Sequence, residues 1–218
     1  MIFRCKKTKY NIKNWSGIMN GHVAFILGNG PSVNECDLSL LDNYFTIGIN
    51  RIFKIYDPTM LFWQDKEITK SYYKEIIKCS SVKVCRDIYD YSSSFTNFYL
   101  DNSSYRFHNT PWHLYGRGCS GGLAVQLAYS MGFSSVVVIG CDCKYINGNT
   151  DFYGKNKFHR PHTLVHFNQA MKWVKENINI PLYNCGYCSL WPRIELKEAI
   201  ENSKAIKMKK IDFLSILR

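Results

Sequence analysis

The sequence predicts an α/β protein with a Rossmann-like, mostly parallel sheet, helices on both faces of the sheet, and an irregular lid segment. Short apolar runs rich in β-branched residues alternate with amphipathic helical patterns along the 218 residues. This alternation is typical of doubly wound sheets, and the length suffices for one domain with a sizeable core. We expect a basic N-terminal arm over 1–21, a Rossmann-like domain over 22–203 with lid parts at about 87–111 and 144–160, and a basic amphipathic tail over 204–218.

The first predicted strand and the turn after it occupy HVAFILGNGPS, residues 22–32. Val23–Leu27 is fully apolar, as expected of a buried parallel strand. Gly28 and Gly30 lack a Cβ, so the backbone there can adopt positive φ and approach a ligand closely. Ser32 and the amides around it can hold a phosphate at the start of the next helix. The pattern predicts a nucleotide-binding loop, with an ordinary strand-to-helix turn as the alternative.

The remaining elements follow from the same two periodicities. Strands are predicted at 45–50, 59–63, 81–86, 135–140 and 181–185, and helices at 37–41, 68–78, 123–131, 161–177 and 196–203. In doubly wound sheets the ligand lies outside the carboxyl ends of the strands. The polar residues expected at those ends are Asn29, Ser32, Asn50, Arg51, Gln64, Asp65 and Asp142, and a loop at a helix start adds Ser120 and Gly121. Their convergence predicts a nucleotide or sugar-nucleotide site.

The segment 152–166, FYGKNKFHRPHTLVH, carries most of the candidate catalytic groups. His162 and His166 are four residues apart, so a helix places both on one face. A histidine at that site can act as general base on a hydroxyl group. Four neighbouring side chains can stabilise a leaving phosphate by charge and hydrogen bonds: Tyr153, Lys155, His159 and Arg160. The alternative is that one histidine caps the helix and the other packs in the core.

The chain carries 28 Lys and Arg against 17 Asp and Glu, a formal charge of +11, which favours anionic partners. Nucleic acid is supported by charge alone, because no nucleic-acid-binding motif is present. The tail at 204–218 can contact an anionic membrane or dock on the core.

Nine cysteines without a signal peptide or a transmembrane run favour free thiols in the cytoplasm, with the inner membrane surface as a second location if the tail binds it. A four-thiolate zinc site from Cys141, Cys143, Cys185 and Cys188 is a less favoured alternative.

Four motifs together resemble the bacterial sialyltransferases with a single Rossmann-like domain. They also resemble a related group sharing the GNGPS motif, which includes phage proteins and an archaeal 6-hydroxymethyl-dihydropterin pyrophosphokinase. The motifs are Gly28-Asn29-Gly30-Pro31-Ser32, Asn50, Cys119-Ser120-Gly121 and Gly140-Cys141-Asp142. The similarity covers about 23–191.

The resemblance implies roles for individual residues. It implies that Asn29 and Ser32 contact the cytidine monophosphate (CMP) part of a donor, and that Asn50 contacts its base or ribose. The sialyltransferases have a Thr-Ser-Gly loop before a helix; Ser120 matches its serine, whereas Cys119 replaces its threonine. These enzymes also use a histidine base and tyrosines near the leaving phosphate, and they need no essential metal.

The function expected on these grounds is that of a glycosyltransferase. The favoured donor is a CMP-sugar, the acceptor is a glycan or another hydroxyl compound, no cofactor is essential, and the chain is expected to form a homo-oligomer. One alternative is an ATP-dependent pyrophosphokinase or nucleotidyl-type transferase acting on a small heterocycle, with Mg²⁺ held by Asp65 and Asp142. Others are a phage enzyme that adds a sugar to DNA bases and a nucleotide sensor without turnover.

Overall fold

The computed structural model describes residues 10–87, 95–102, 107–116, 119–156 and 161–217, with residues 161 and 162 described by their backbone only. Eight strands form one sheet: β1 Val23–Leu27, β2 Thr46–Ile49, β3 Met60–Trp63, β4 Val82–Arg86, β5 Thr96–Asp101, β6 His113–Tyr115, β7 Ser135–Ile139 and β8 Leu182–Asn184. The described α-helices are α1 Lys66–Ile76, α2 Ser120–Ser130, α3 Pro161–Asn177, α4 Leu196–Asn202 and α5 Lys210–Ile216. Short 3₁₀ helices cover Ile12–Trp15, Pro31–Glu35, Leu38–Leu41 and Ile52–Lys54.

The strand order is β6-β5-β4-β3-β2-β1-β7-β8, and every neighbouring pair is parallel. The chain runs outward from β1 to β6 and then returns to the other side of β1, where it forms β7. The carboxyl ends of β1 and β7 therefore flank a topological switch point, where open α/β sheets bind ligands. This sheet confirms the predicted fold class.

Two cores lie on opposite faces of the sheet because alternate side chains of each strand point in opposite directions. On one face Ala24 and Ile26 of β1 pack with α2 and with Val174 of α3. On the other face Phe25 and Leu27 pack with residues of α1 and α4. All five side chains of β1 and of β7 are buried, as expected of central parallel strands covered on both sides.

The structure corrects the prediction of a separate N-terminal arm over 1–21. Residues 10–21 pack on the domain: Ile12, Trp15 and Met19 are buried in the same core as α2. The Met19 amide donates to the carbonyl of Met131 at 2.8 Å. Polar residues surround these three anchors in the sequence, which concealed their burial.

The prediction of an irregular lid at about 87–111 is wrong for 96–101, which form β5 of the sheet. The tail at 204–218 docks on the core through α5, whose Phe213 is fully buried. None of the described helices has the length and apolarity needed to cross a bilayer.

Candidate functional site

A cleft of about 340 Å³ opens at the switch point, beyond the carboxyl ends of β1, β2 and β7. Ten of the predicted site residues line it: Gly28, Asn29, Gly30, Asn50, Arg51, Asp65, Ser120, Gly121, Asp142 and Tyr153. Ser32 is not on its wall, and Lys155 is exposed to solvent outside it. His166 lines a neighbouring cavity. His159, Arg160 and the side chain of His162 lie outside the described residues.

Gly28 and Gly30 serve a different purpose from the one predicted. Neither has a positive φ, and the φ of Gly30 is −64°. Instead, a Cβ at Gly28 would collide with the Gly140 carbonyl, and a Cβ at Gly30 would collide with Asp142. Their amides donate to the carbonyls of Ile139 and Gly140, each at 2.7 Å. The two glycines therefore allow the loop after β1 to pack against the loop after β7.

Asp142 joins three segments of the chain at the base of the cleft. Its carboxylate is buried and accepts hydrogen bonds from the Ser32 hydroxyl, the Ser32 amide at 3.0 Å and the Tyr187 amide at 2.9 Å. The Ser32 side chain is fully buried, and only a five-residue 3₁₀ helix follows the loop. The predicted phosphate grip by Ser32 and its amide is therefore not formed in this structure, because Asp142 occupies both groups.

Asn29 links the ends of β1 and β2. Its side-chain nitrogen donates to the Ile49 carbonyl at 2.9 Å, and its side-chain oxygen accepts from the Arg51 amide at 3.1 Å. Its carbonyl accepts from the Phe152 amide at 2.6 Å, which ties the predicted lid part at 144–160 to the loop after β1. Asn29 thus lines the cleft while its amide group shapes the cleft wall.

Asn50 is the residue in the cleft wall whose bonding is incomplete. It has a left-handed backbone with φ of 51°, which only a few per cent of non-glycine residues adopt. Its side-chain oxygen is buried and has no hydrogen-bond partner within the described part of the chain. Strained backbone and unsatisfied buried polar atoms both concentrate at functional sites. The left-handed backbone and the unpartnered oxygen make Asn50 a candidate ligand-binding residue.

Arg51 supplies positive charge beside Asn50. Its guanidinium lies 4.7 Å from the ring centre of Tyr153 and 5.2 Å from that of Tyr72. Burial, with the negative charge of Asp151, raises the pKa of the Tyr153 hydroxyl despite the opposing charge of Arg51. That hydroxyl stays protonated at neutral pH, and it already forms a hydrogen bond with the side chain of Asp151. Two rings and a cation thus meet at one wall of the cleft.

The start of α2 forms another wall, and its amides are largely satisfied by protein groups. The side-chain oxygen of Gln64, oriented toward the helix, accepts from the amides of Cys119 and Ser120, each at 3.2 Å. The Cys119 sulfur accepts from the Gly122 amide at 3.4 Å. Burial raises the pKa of the Cys119 thiol to about 11, so it is a poor nucleophile at neutral pH. Gln64 was predicted to lie at a strand end, but its capping of α2 depends on a contact invisible in the sequence.

A second cavity of about 350 Å³ adjoins the cleft, and Cys119 lines both. Its walls include the aromatic rings of Tyr115 and Trp173 and the imidazole of His166. The opposite side of α3 contributes Thr163 and Phe167 to the cleft. Helix α3 thus lines both cavities, with His166 on the wall of the second one.

The cysteines expected as a possible zinc site do not form one. Within the part of the chain that the structure describes, Cys141, Cys143, Cys185 and Cys188 belong to no group of three or more side chains with metal-binding spacing. Each of these four thiols is free.

No protein-family model matches the chain, and no curated protein sequence matches it. Several solved sialyltransferase structures from Campylobacter jejuni are similar to it. CstII in complex with cytidine-5'-monophosphate is 16% identical, with a TM-score of 0.49 over 79% of this chain and 82% of that chain. Monofunctional alpha-2,3-sialyltransferase Cst-I is 13% identical, with a TM-score of 0.47 over 79% and 80%. At such identities and scores, the chemistry of this chain must be argued from its own residues.

Proposed function

We propose that this chain is a glycosyltransferase that moves a sugar from a nucleotide donor, with a CMP-sugar favoured, to a hydroxyl group of a glycan or another acceptor. The observation that carries the proposal is Asn50, a residue with a left-handed backbone and an unpartnered side-chain oxygen at the switch-point cleft. The cleft volume of about 340 Å³ lies within the range of roughly 300–1,000 Å³ that is usual for small-molecule sites.

The donor's nucleoside is assigned to the wall formed by Asn50. A carboxamide offers one acceptor and two donors, which suits the amino and carbonyl groups of a pyrimidine or the hydroxyls of a ribose. The preference for cytidine comes from the family resemblance of the motif residues. UDP- and GDP-linked donors are therefore alternatives that the experiment below separates.

The donor phosphate is assigned to the wall formed by Arg51 and Tyr153. Arg51 forms no ion pair with any carboxylate among the described residues, so its charge is available to a ligand. As the bond between the sugar and the phosphate breaks, negative charge grows on the phosphate oxygens. A fixed guanidinium stabilises that charge because it needs no reorganisation. The Tyr153 ring, 4.7 Å from the Arg51 guanidinium, helps to hold that group in place.

The acceptor is assigned to the second cavity, whose Tyr115 and Trp173 rings suit the apolar faces of a sugar. In the proposed step, the acceptor reaches the donor where the two cavities adjoin at Cys119. Its oxygen attacks the anomeric carbon, its proton passes to an imidazole, and the CMP phosphate leaves with the bonding electrons. His166 on the wall of this cavity is the proposed base. His162, one turn earlier on α3, remains the second candidate.

The experiment is a thermal-shift screen of CMP, UDP, GDP and ADP, each with and without Mg²⁺. We expect CMP to raise the unfolding midpoint without Mg²⁺; a ligand at 100 times its Kd adds about 2.7 kcal/mol of stability. Asn50→Ala should weaken CMP binding about 10-fold, corresponding to one lost hydrogen bond of roughly 1.4 kcal/mol. Asn179→Ala is the matched control, since Asn179 is exposed and away from the cleft lining.

Two outcomes would contradict the proposal. An unchanged CMP response in Asn50→Ala would remove the assigned donor site. A shift given only by ADP with Mg²⁺ would favour the pyrophosphokinase alternative, in which Asp65 and Asp142 on the cleft wall hold the metal.

A further inference from the structure

Three potential metal ligands meet at the far edge of the sheet, away from the switch point. Asp101 is the last residue of β5, His113 is the first residue of β6, and His108 lies in the connection between these strands. One oxygen of Asp101, Oδ2, lies 3.5 Å from Nε2 of His113 and 3.8 Å from Nε2 of His108. We call these three residues the edge cluster.

The two imidazoles of the edge cluster have an unusual arrangement. Their rings are stacked, with centroids 3.8 Å apart and planes 13° from parallel. Because an imidazole binds a metal in the plane of its ring, the two rings must turn out of this stack before both Nε2 atoms can bind one ion. Nε2 of each ring is buried and has no hydrogen-bond partner among the described residues. Burying a polar nitrogen without a partner is costly, so two such atoms facing one carboxylate oxygen need an explanation.

We propose that Asp101, His108 and His113 bind a divalent first-row transition cation, with Zn²⁺ as the best match. Ligand atoms about 2.0–2.1 Å from a tetrahedral Zn²⁺ lie roughly 3.3 Å from one another. The two measured separations of 3.5 and 3.8 Å exceed that value by only a few tenths of an ångström. Two imidazoles suit Zn²⁺, whereas Mg²⁺ and Ca²⁺ prefer oxygen ligands. The fourth position is left to water.

The cation would secure one edge of the sheet. Strand β6 has three residues and pairs only with β5, at the end of the strand order. A metal bound by both strands and by their connection cross-links all three. Tyr115, the last residue of β6, lines the second cavity, so the cation would also fix that wall. This inference does not depend on the proposed transferase activity.

The test is a titration of chelator-treated, full-length protein with Zn²⁺ and with Co²⁺, followed by calorimetry and by absorption spectroscopy. We expect one equivalent of Zn²⁺ to bind at the edge cluster and to raise the unfolding midpoint, and Mg²⁺ to have no effect. Co²⁺ at this cluster should show ligand-field bands without the strong near-ultraviolet absorption of a thiolate complex. This spectrum distinguishes Co²⁺ bound at the edge cluster from Co²⁺ bound by the free cysteines.

His108→Ala and His113→Ala should each lower the affinity for Zn²⁺ at least 10-fold, whereas His22→Ala should leave it unchanged. His22 is half-buried and belongs to no such cluster. Circular dichroism reports whether each variant is folded, and His108→Ala is the milder change because His108 lies outside the strands. Equal binding by wild type and both folded variants would overturn the proposal. So would a thiolate spectrum that disappears in Cys143→Ser.

Discussion

The buried side chain of Asp142 determines which hydrogen-bond donors of the loop after β1 remain available to a ligand. Its two oxygens accept from the hydroxyl and amide of Ser32 and from the amide of Tyr187. Gly186 is also required there, because a Cβ at that position would lie 2.7 Å from Asp142 and 2.8 Å from the Ser32 hydroxyl. The carboxylate thus organises the floor of the cleft, while the groups that we propose contact the ligand belong to Asn50 and Arg51.

This arrangement predicts a structural role for Asp142. Asp142→Ala leaves three donors buried without an acceptor, at roughly 1–3 kcal/mol each. We expect the free energy of unfolding to fall by about 3 kcal/mol or more, measured by urea denaturation. Asp42→Ala, at an exposed position, should change it by less than about 0.5 kcal/mol. Unchanged stability of Asp142→Ala with lost nucleotide binding would instead mean that the carboxylate serves the ligand directly.

At the scale of elements, the sequence predicts the central strands and α3 well. The apolar runs at β1 and β7 need burial on both faces, and Pro161 begins α3 as predicted. Strand β6 was missed because three residues carry no measurable periodicity. Strand β5 does alternate buried Phe98 and Leu100 with half-buried Asn97 and exposed Tyr99, but its six residues lie in a long segment rich in Tyr, Ser, Asn and Phe whose periodicity is weak.

The location of the candidate site was predictable from the sequence, but the roles of its residues were only partly predictable. Strand ends converge in any doubly wound sheet, so the positions of Asn50 and Arg51 followed from the strand assignment. The roles of Ser32 and Asp142 did not, because their contact spans 110 residues of sequence. Whether a hydroxyl faces a ligand or a neighbouring loop depends on such long-range packing.

The packing of the two loops leads to a prediction for Gly30. A Cβ there would collide with the Asp142 carboxylate and the Gly140 carbonyl, so the loops must separate. We expect Gly30→Ala to lower the free energy of unfolding by about 1–3 kcal/mol, as is typical of overpacking. Gly121→Ala is the control, since its Cβ would come no closer than 3.4 Å to any atom it could meet. Equal stability of the two variants in a denaturation series would contradict the close packing.

At the scale of the whole molecule, the two ends of the described chain close the same core. Phe213 of α5 packs edge-on against Phe45, with ring centres 4.6 Å apart, and lies 6.4 Å from Trp15 near the other end. Lys210 adds an ion pair with Asp57 at 3.0 Å. The basic tail is thus part of the fold, and its charge does not by itself imply a membrane or nucleic-acid partner.

Docking of α5 predicts a contrast between two residues on that helix. Phe213 is fully buried, whereas Ile211 is 62% exposed. Phe213→Ala should lower the free energy of unfolding by about 3–5 kcal/mol, because it leaves a cavity between Phe45 and Trp15. Ile211→Ala should change it by less than about 0.5 kcal/mol. If urea denaturation gave both variants wild-type stability, α5 would be detached in solution. Its apolar side would then be available to an anionic membrane, which vesicle sedimentation would detect.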